Sequence, residues 1–318
     1  MSTAVQEISA AAAPSESQLA VAYAVCRDIT RAAARNFYYA FLVLPKRKRR
    51  ALCAVYAFMR RCDDIADDAS ISVQERRRKL ADWLEAWHRA QAGRATDDPI
   101  LLALTDAQRR FSIPAVLLDQ LAHGTAMDLE EAMPDVPGTA AREGDRPLIV
   151  HYKTFDDLYL YCYRVASVVG LVCIRIFGYR DQQAEAFAEK LGLAFQLTNI
   201  IRDVREDALM ERVYLPEEDF ARFGVSPYEL LSSSDASRFA GLLGLEAERA
   251  REYYGAAEKL IPLIEEDSQP ALWVLSTIYQ RLLEKIVRRQ YDVFHGKISV
   301  PTREKLVILG KGFLKRLV

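Results

Sequence analysis

Apolar residues recur every three to four positions along almost the whole chain, and no stretch sustains the strict alternation of a half-buried strand. The pattern predicts helices over residues 18–34, 46–68, 73–91, 99–111, 114–131, 155–177, 181–206, 236–264, 270–294 and 302–317, hence an all-α fold. Two of them, 155–177 and 181–206, carry apolar side chains on more than one face, which marks central elements of a helical bundle. Glycine and proline break the pattern at 133–153 and again at 213–227. Neither break has the composition of a flexible interdomain linker, so residues 18–318 are expected to form a single domain behind a disordered tail at 1–17.

Two acidic clusters stand against this apolar background. Asp63-Asp64-Ile65-Ala66-Asp67-Asp68 ends one predicted helix, and Asn199, Asp203 and Asp207 lie within the run from Gln196 to Asp207 on another. Asp63 and Asp67 are one turn apart, as are Asn199, Asp203 and Asp207, so each set forms a stripe along its helix. A lone acidic run near a helix end is ordinarily a solvated face. The second run, however, continues the apolar stretch 191–197, which predicts two rows of oxygen ligands facing each other inside a bundle. With no histidine or cysteine beside them, such oxygens suit Mg²⁺ or Mn²⁺ and not zinc. Magnesium held by a few carboxylates completes its shell with water and substrate phosphate. Arg60 precedes Asp63 by three residues and Arg202 adjoins Asp203, positions from which guanidinium groups could clamp a diphosphate. The compatible, plainer role is intrahelical pairing of Arg60 with Asp64 and of Arg202 with Glu206, worth roughly 0.2–0.5 kcal/mol each.

Composition narrows the field. The 318 residues are 51% hydrophobic and 27% charged, with a net charge of −1, so a large core is affordable and no overall field recruits nucleic acid. Cys26, Cys53, Cys62, Cys162 and Cys173 lie singly in helical segments, which predicts buried thiols filling the core in a reducing, cytoplasmic compartment. The N-terminus lacks the charged start of a signal peptide, and the most apolar internal run, 165–174, is too short to span a bilayer. The C-terminal segment 303–317 mixes Arg303, Lys305, Lys311, Lys315 and Arg316 with Leu306, Val307, Leu309, Phe313 and Leu314. It reads either as a docked surface helix or as a peripheral contact with the inner face of a membrane.

The chain resembles the squalene/phytoene synthases, the head-to-head prenyl-diphosphate condensing enzymes, from about residue 20 to 300. The residues that carry the likeness are Asn36-Phe37-Tyr38-Tyr39-Ala40-Phe41 with Leu44-Pro45, the run from Tyr56 to Asp67, Tyr161-Cys162-Tyr163-Arg164-Val165-Ala166, Gln196 to Asp207, and Arg212-Val213-Tyr214-Leu215-Pro216. The resemblance implies an isoprenoid-synthase helical bundle and Mg²⁺-dependent ionisation of prenyl diphosphates. It implies Asp63, Asp67, Asn199, Asp203 and Asp207 as metal ligands and Tyr161 beside the reacting carbon. Arg35, Asn36, Tyr56, Arg60, Gln196, Arg202 and Tyr279 are implied as substrate contacts, with Ala166 and Val169 on the pocket floor. Two departures stand out: Ala33 and Ala34 precede Arg35 and Asn36 where relatives often place His and Ser, and Lys297 occupies the region where an arginine is expected to close on phosphate.

Likeness to bacterial presqualene-forming enzymes, strongest from Cys26-Arg27-Asp28-Ile29-Thr30 to Phe41, favours two farnesyl diphosphates as substrates. Phytoene synthesis from two geranylgeranyl diphosphates is the near alternative. Terpene cyclisation and a non-catalytic assembly role are the others, the last disfavoured because both acidic sets are retained. Aromatic faces at Phe37, Tyr38, Phe41, Phe58, Tyr161 and Phe195 could stabilise an allylic cation, or simply fill the core. No G-x-G-x-x-G fingerprint follows a strand, so NADPH use is unsupported, and a downstream isoprenoid enzyme is the expected partner.

Overall fold

A computed structural model describes residues 14–33, 35–131, 149–232 and 235–317. In order along the chain the helices are α1 (Glu16–Ala33), α2 (Arg35–Phe41), α3 (Lys46–Ala66), α4 (Val73–Gln91), α5 (Pro99–Phe111), α6 (Ala115–Glu131), α7 (Phe155–Cys162), α8 (Val168–Phe177), α9 (Gln183–Leu209), α10 (Glu217–Phe223), α11 (Glu229–Ser232), α12 (Ala240–Leu260), α13 (Gln269–Arg288) and α14 (Thr302–Leu317). The only strands among the described residues, β1 (Ile149–Val150) and β2 (Arg212–Val213), pair in parallel over two residues.

The helix ends follow local chemistry. Ser72 caps α4 by accepting from the Glu75 amide. Asp98 caps α5 by accepting from Ile100 and Leu101, with Pro99 at the first helical position, where a missing N–H costs nothing. Thr154 and Asp157 satisfy each other's backbone amides across the start of α7.

Several expectations need correction. The chain is already helical at Glu16, inside the stretch read as a tail, while residues 1–13 lie outside the described set. The break predicted at 213–227 contains α10, and α11 follows it directly; both helices are too short to display a clear period. The short α2 was likewise not legible as a helix. The predicted break at 133–153 lies outside the described residues up to position 148. Helix 155–177 is not one α-helix: a five-residue π turn, Tyr163–Ser167, separates α7 from α8. Taken whole, Phe155–Phe177 is long and apolar enough to cross a membrane, which the shorter count over 165–174 missed. Half of its most apolar window is buried.

The π turn packs tightly on a neighbouring helix. Gly192 of α9 lies so close to it that a Cβ there would stand 2.6 Å from the Ser167 Cα and 2.8 Å from the Ala166 carbonyl oxygen. Ser167 completes the contact by donating its hydroxyl to the Glu189 carbonyl at 2.7 Å. Helix α9 packs most extensively on α12, where Thr198 Oγ1 meets the Tyr254 hydroxyl at 2.8 Å in a fully buried setting. Helices α1, α3 and α5 pack on one another on the other side of the molecule.

One buried charge cluster lies away from the acidic rows. Arg249 of α12 donates to Asp219 of α10 at 2.5 Å and to Glu246 at 2.7 Å, with its guanidinium 4.0 Å from the Phe155 ring centre. Glu246 is fully buried, and that burial pushes its carboxyl up to about 8 against the pull of Arg249, with Asp219 adding to the rise. The unfolded chain releases this proton near 4.5, so the folded state holds the extra proton between the two values and stability falls as pH rises through that window. Replacing Glu246→Gln should remove this slope. Thermal midpoints measured from pH 5 to pH 9 should show the variant matching the wild type at the acid end and exceeding it by several degrees at the alkaline end; parallel curves would refute the assignment.

Candidate functional site

An apolar cavity of about 220 Å³ runs between α2, α3, α8, α9 and α13, with Ile174, Phe177 and Leu260 also in its lining. Its walls follow helical spacing. Leu52, Val55, Tyr56 and Met59 come from α3, Ala188, Leu191, Phe195, Gln196 and Asn199 from α9, and Leu272, Leu275 and Tyr279 from α13. The π turn and α8 supply Val165, Ala166, Val169, Gly170 and Cys173. The predicted floor residues Ala166 and Val169 therefore line this space, as do Tyr56, Gln196 and Tyr279 among the predicted substrate contacts.

Tyr56, Gln196, Asn199 and Tyr279 are the polar members of this lining, and the two acidic rows continue α3 and α9 outward from them. Electrostatics tie the rows to one mouth. Tyr279 senses Arg202, Asn199 and Asp203 of α9 together with Tyr56 of α3, and Tyr56 in turn senses Arg60, Asp63 and Asp64. Burial raises both phenols above their ordinary values, so each remains a protonated donor at neutral pH. Asp63, Asp203 and Asp207 are half-buried, whereas Asp67, at the end of α3, is exposed. The Asn199 side-chain oxygen is buried without a hydrogen-bond partner.

The cations at this mouth are already engaged. Arg60 pairs with Asp64 at 2.6 Å, one turn along α3. Arg202 does not reach Glu206; it grips its neighbour Asp203, with Nε donating at 2.7 Å and a second guanidinium nitrogen completing the fork. Lys297, in the segment between α13 and α14, takes Glu206 at 2.6 Å and approaches Asp203 to 3.9 Å. Among the described residues no three Asp, Glu, His or Cys side chains converge as a ready-made metal cage.

Aromatic rings gather beside Asn199. Phe195 stacks on Tyr279 with centres 4.3 Å apart, and Phe37 lies 5.8 Å from Tyr279 on the other side. Phe41 also lines the cavity, but Tyr38 does not, and Phe58 is wholly buried against Trp83 and Trp87. Tyr161 lies elsewhere. It stacks on Tyr214 at 5.1 Å and packs on Tyr152 at 5.3 Å, in an aromatic cluster beside β1 and β2, and it does not line the cavity. Tyr161 lies in α7, just before the π turn that carries Val165. Arg35 and Asn36 open α2, but their side chains lie outside the described set.

Sequence reasoning missed Met59, Phe177, Leu260, Leu272 and Leu275, because one apolar side chain on an apolar helix looks like any other. It also read Cys173 as core filling. Four of the thiols are buried in the core, but Cys173 faces the cavity, where burial pushes its thiol up to about 12.

The arrangement is thus an apolar chamber with a polar rim that, among the described residues, carries two acidic rows, three cations and two phenols. The sequence profile of squalene/phytoene synthases matches residues 30–304. The chain is 36% identical over 293 residues to a phytoene synthase of Mycobacterium tuberculosis, covering 89% of this chain and 88% of that one. It is 34% identical to a 15-cis-phytoene synthase of Synechococcus elongatus, with 94% and 95% covered. Among solved structures, a ligand complex of a dehydrosqualene synthase matches with a TM-score of 0.80 at 30% identity, covering 93% of this chain and 96% of that one. A squalene synthase from Alicyclobacillus acidocaldarius matches with a TM-score of 0.74 at 25% identity, over 87% of this chain and 97% of that one. Matched over nearly its whole length in sequence and in fold, the chain belongs to the squalene/phytoene synthase family of prenyl transferases.

Proposed function

We propose that this protein joins two farnesyl diphosphates head to head, with presqualene diphosphate as the first product. The observation that carries the reading is the joining of both acidic rows to the mouth of one apolar cavity through Tyr56 and Tyr279. The donor set suits magnesium: hard oxygens only, with the buried Asn199 oxygen lacking a partner between Gln196 and Asp203. Asp63, Asp67, Asn199, Asp203 and Asp207 would hold it, without a prebuilt three-acid cage, since magnesium commonly takes only one or two carboxylates and fills its shell with phosphate oxygens and water. When bound, the ion would draw off charge building on the departing diphosphate.

The chain's own groups do the rest. Arg60, Arg202 and Lys297 turn from neighbouring carboxylates to diphosphate oxygens, and Tyr56 and Tyr279 donate their hydroxyls to the same group. The pairs they leave are cheap to break where solvent-exposed; Arg60 and Asp64 are each nearly half exposed, a setting worth at most about 1 kcal/mol. Heterolysis of the carbon–oxygen bond leaves an allylic cation beside the faces of Phe37, Phe195 and Tyr279, whose quadrupoles favour positive charge. The apolar walls keep water from quenching it. The double bond of the second substrate supplies the electron pair for the new carbon–carbon bond, and transfer of a proton to the departed diphosphate closes the cyclopropane.

The names of the structural neighbours, dehydrosqualene and squalene synthases, support the farnesyl reading. The names of the sequence relatives support a second one, phytoene synthesis from two geranylgeranyl diphosphates. Purified protein incubated with Mg²⁺ and each diphosphate in turn, with and without NADPH, separates them by product mass. The farnesyl reading expects a condensed product from farnesyl diphosphate and little from geranylgeranyl diphosphate; the opposite preference assigns phytoene synthesis, and a product from a single prenyl unit would mean cyclisation.

A further inference from the structure

The cavity has an end remote from the acidic rows, and helix order locates it. Along α3 the lining residues Leu52 to Met59 are bracketed by Asp63 one turn after and by Lys48 one turn before, the two being about 22 Å apart along the helix. The π turn and α8 run antiparallel to α9: Gly192 meets Ala166 and Ser167, Gly170 meets Ala188, and Arg175 pairs with Glu185. Phe177, the last residue of α8, therefore stands at the end of the lining farthest from Asn199 and Asp203. On α13 the order agrees, since Leu272 lies two turns before the rim residue Tyr279.

Lys48 gathers this end together. Its side chain is only 11% exposed, and its ammonium donates to the Phe177 carbonyl at 2.7 Å, to Glu265 Oε2 at 2.7 Å and to Asp267 Oδ1 at 2.5 Å, with Ser268 Oγ 3.0 Å away. An ammonium has three N–H groups, and the three oxygens that take them belong to two corners of the chain. One corner joins α8 to α9; the other joins α12 to α13 and ends one turn before Leu272. Main chain already links the corners, as the Arg180 amide donates to the Leu263 carbonyl at 2.9 Å and the Glu265 amide to the Gly178 carbonyl at 3.0 Å. Gly178 permits the approach: its φ is 74°, and a Cβ on it would overlap the Glu265 carboxyl group. Phe177, Leu260 and Leu272, all in the cavity lining, lie at or within five residues of the groups around this ammonium.

We propose that Lys48 is a positioning residue for the prenyl chain: by tying both corners to α3 it fixes the end of the cavity farthest from the acidic rows, and with it the hydrocarbon length that fits. Lys48 is not in the cavity lining and acts through the walls. A solvated ion pair would hold nothing so firmly, but a largely buried ammonium shared by three elements sets them in one arrangement. Without it two carboxylates repel each other and the Phe177 carbonyl loses its donor, so the corners relax away from α3. The inference rests on the condensation of prenyl diphosphates and holds whichever length proves native.

Rates of the full chain with geranyl, farnesyl, geranylgeranyl and geranylfarnesyl diphosphates give a profile of kcat/KM against chain length. In Lys48→Met, which keeps an apolar stem and removes the charge, discrimination between the preferred diphosphate and the next longer one should shrink by about tenfold or more, the scale on which an apolar pocket senses a methylene. Lys48→Arg, which restores the charge, should retain most of that discrimination. Loss of folded protein lowers every rate by the same factor and cannot produce this change. An unaltered ratio in active Lys48→Met would overturn the proposal, as would a wild-type profile indifferent to length. Should Lys48→Met not fold, a Glu265→Gln/Asp267→Asn variant, which leaves the ammonium without charged partners, is read by the same ratio. A geranylgeranyl optimum would overturn only the farnesyl reading, whereas no condensation with any diphosphate would overturn the reaction and this inference with it.

Discussion

Replacing Asp63→Ala or Asp203→Ala is expected to lower the rate of prenyl condensation by about 10³-fold or more while leaving the thermal midpoint within a few degrees of the wild type. Neutralising charge on a departing diphosphate is worth several kcal/mol, and each 1.36 kcal/mol is a factor of ten in rate. Both carboxylates are half-buried at the rim and not in the packed core, so their removal leaves no apolar cavity behind. Asp203→Ala also frees Arg202, whose guanidinium it holds, and raised magnesium should therefore restore little of the loss. Single-turnover rates with purified variants provide the measurement. Activity within tenfold of the wild type in both folded variants would remove these residues from the chemistry.

The second large effect concerns folding. Gly192→Val should destabilise the protein by about 3 kcal/mol or more, beyond the usual range for a small-to-large change at a forgiving site. A Cβ at that position meets main-chain atoms of the π turn, and main chain cannot rotate away as a side chain can. Forcing the two helices apart would also displace Ala166 and Val169 from the cavity wall. Denaturant unfolding of the variant should show a lowered midpoint, and residual activity should fall further than the unfolded fraction alone explains. A midpoint unchanged from the wild type would mean that the helices separate here at no cost.

What the sequence made readable, and what it hid, divide along physical lines. Helices 73–91, 99–111 and 302–317 match their expected bounds, with Ser72, Asp98-Pro99 and Pro301 marking where they begin and an amphipathic period filling each. Gln196 and Asn199 stood out because polar groups that continue an apolar helix face have to be explained, whereas Tyr56 came only from the family resemblance. The π turn at Tyr163–Ser167 left no such mark: its partner is Gly192 on another helix, a long-range contact that no local period encodes. Arg202 preferred its immediate neighbour Asp203 over Glu206 one turn away, which helical spacing alone does not predict.

The self-quenched rim has a consequence for competitors. Arg60, Arg202 and Lys297 each already hold a carboxylate from this chain, so a free polyanion drifting past, such as a nucleotide or inorganic phosphate, would have to evict an internal rival while offering those carboxylates nothing in exchange. A ligand that arrives together with divalent cations satisfies both sides of every pair at once. Discrimination against the cell's abundant phosphates can thus originate in the resting rim, before any hydrocarbon tail has been measured against the chamber behind it.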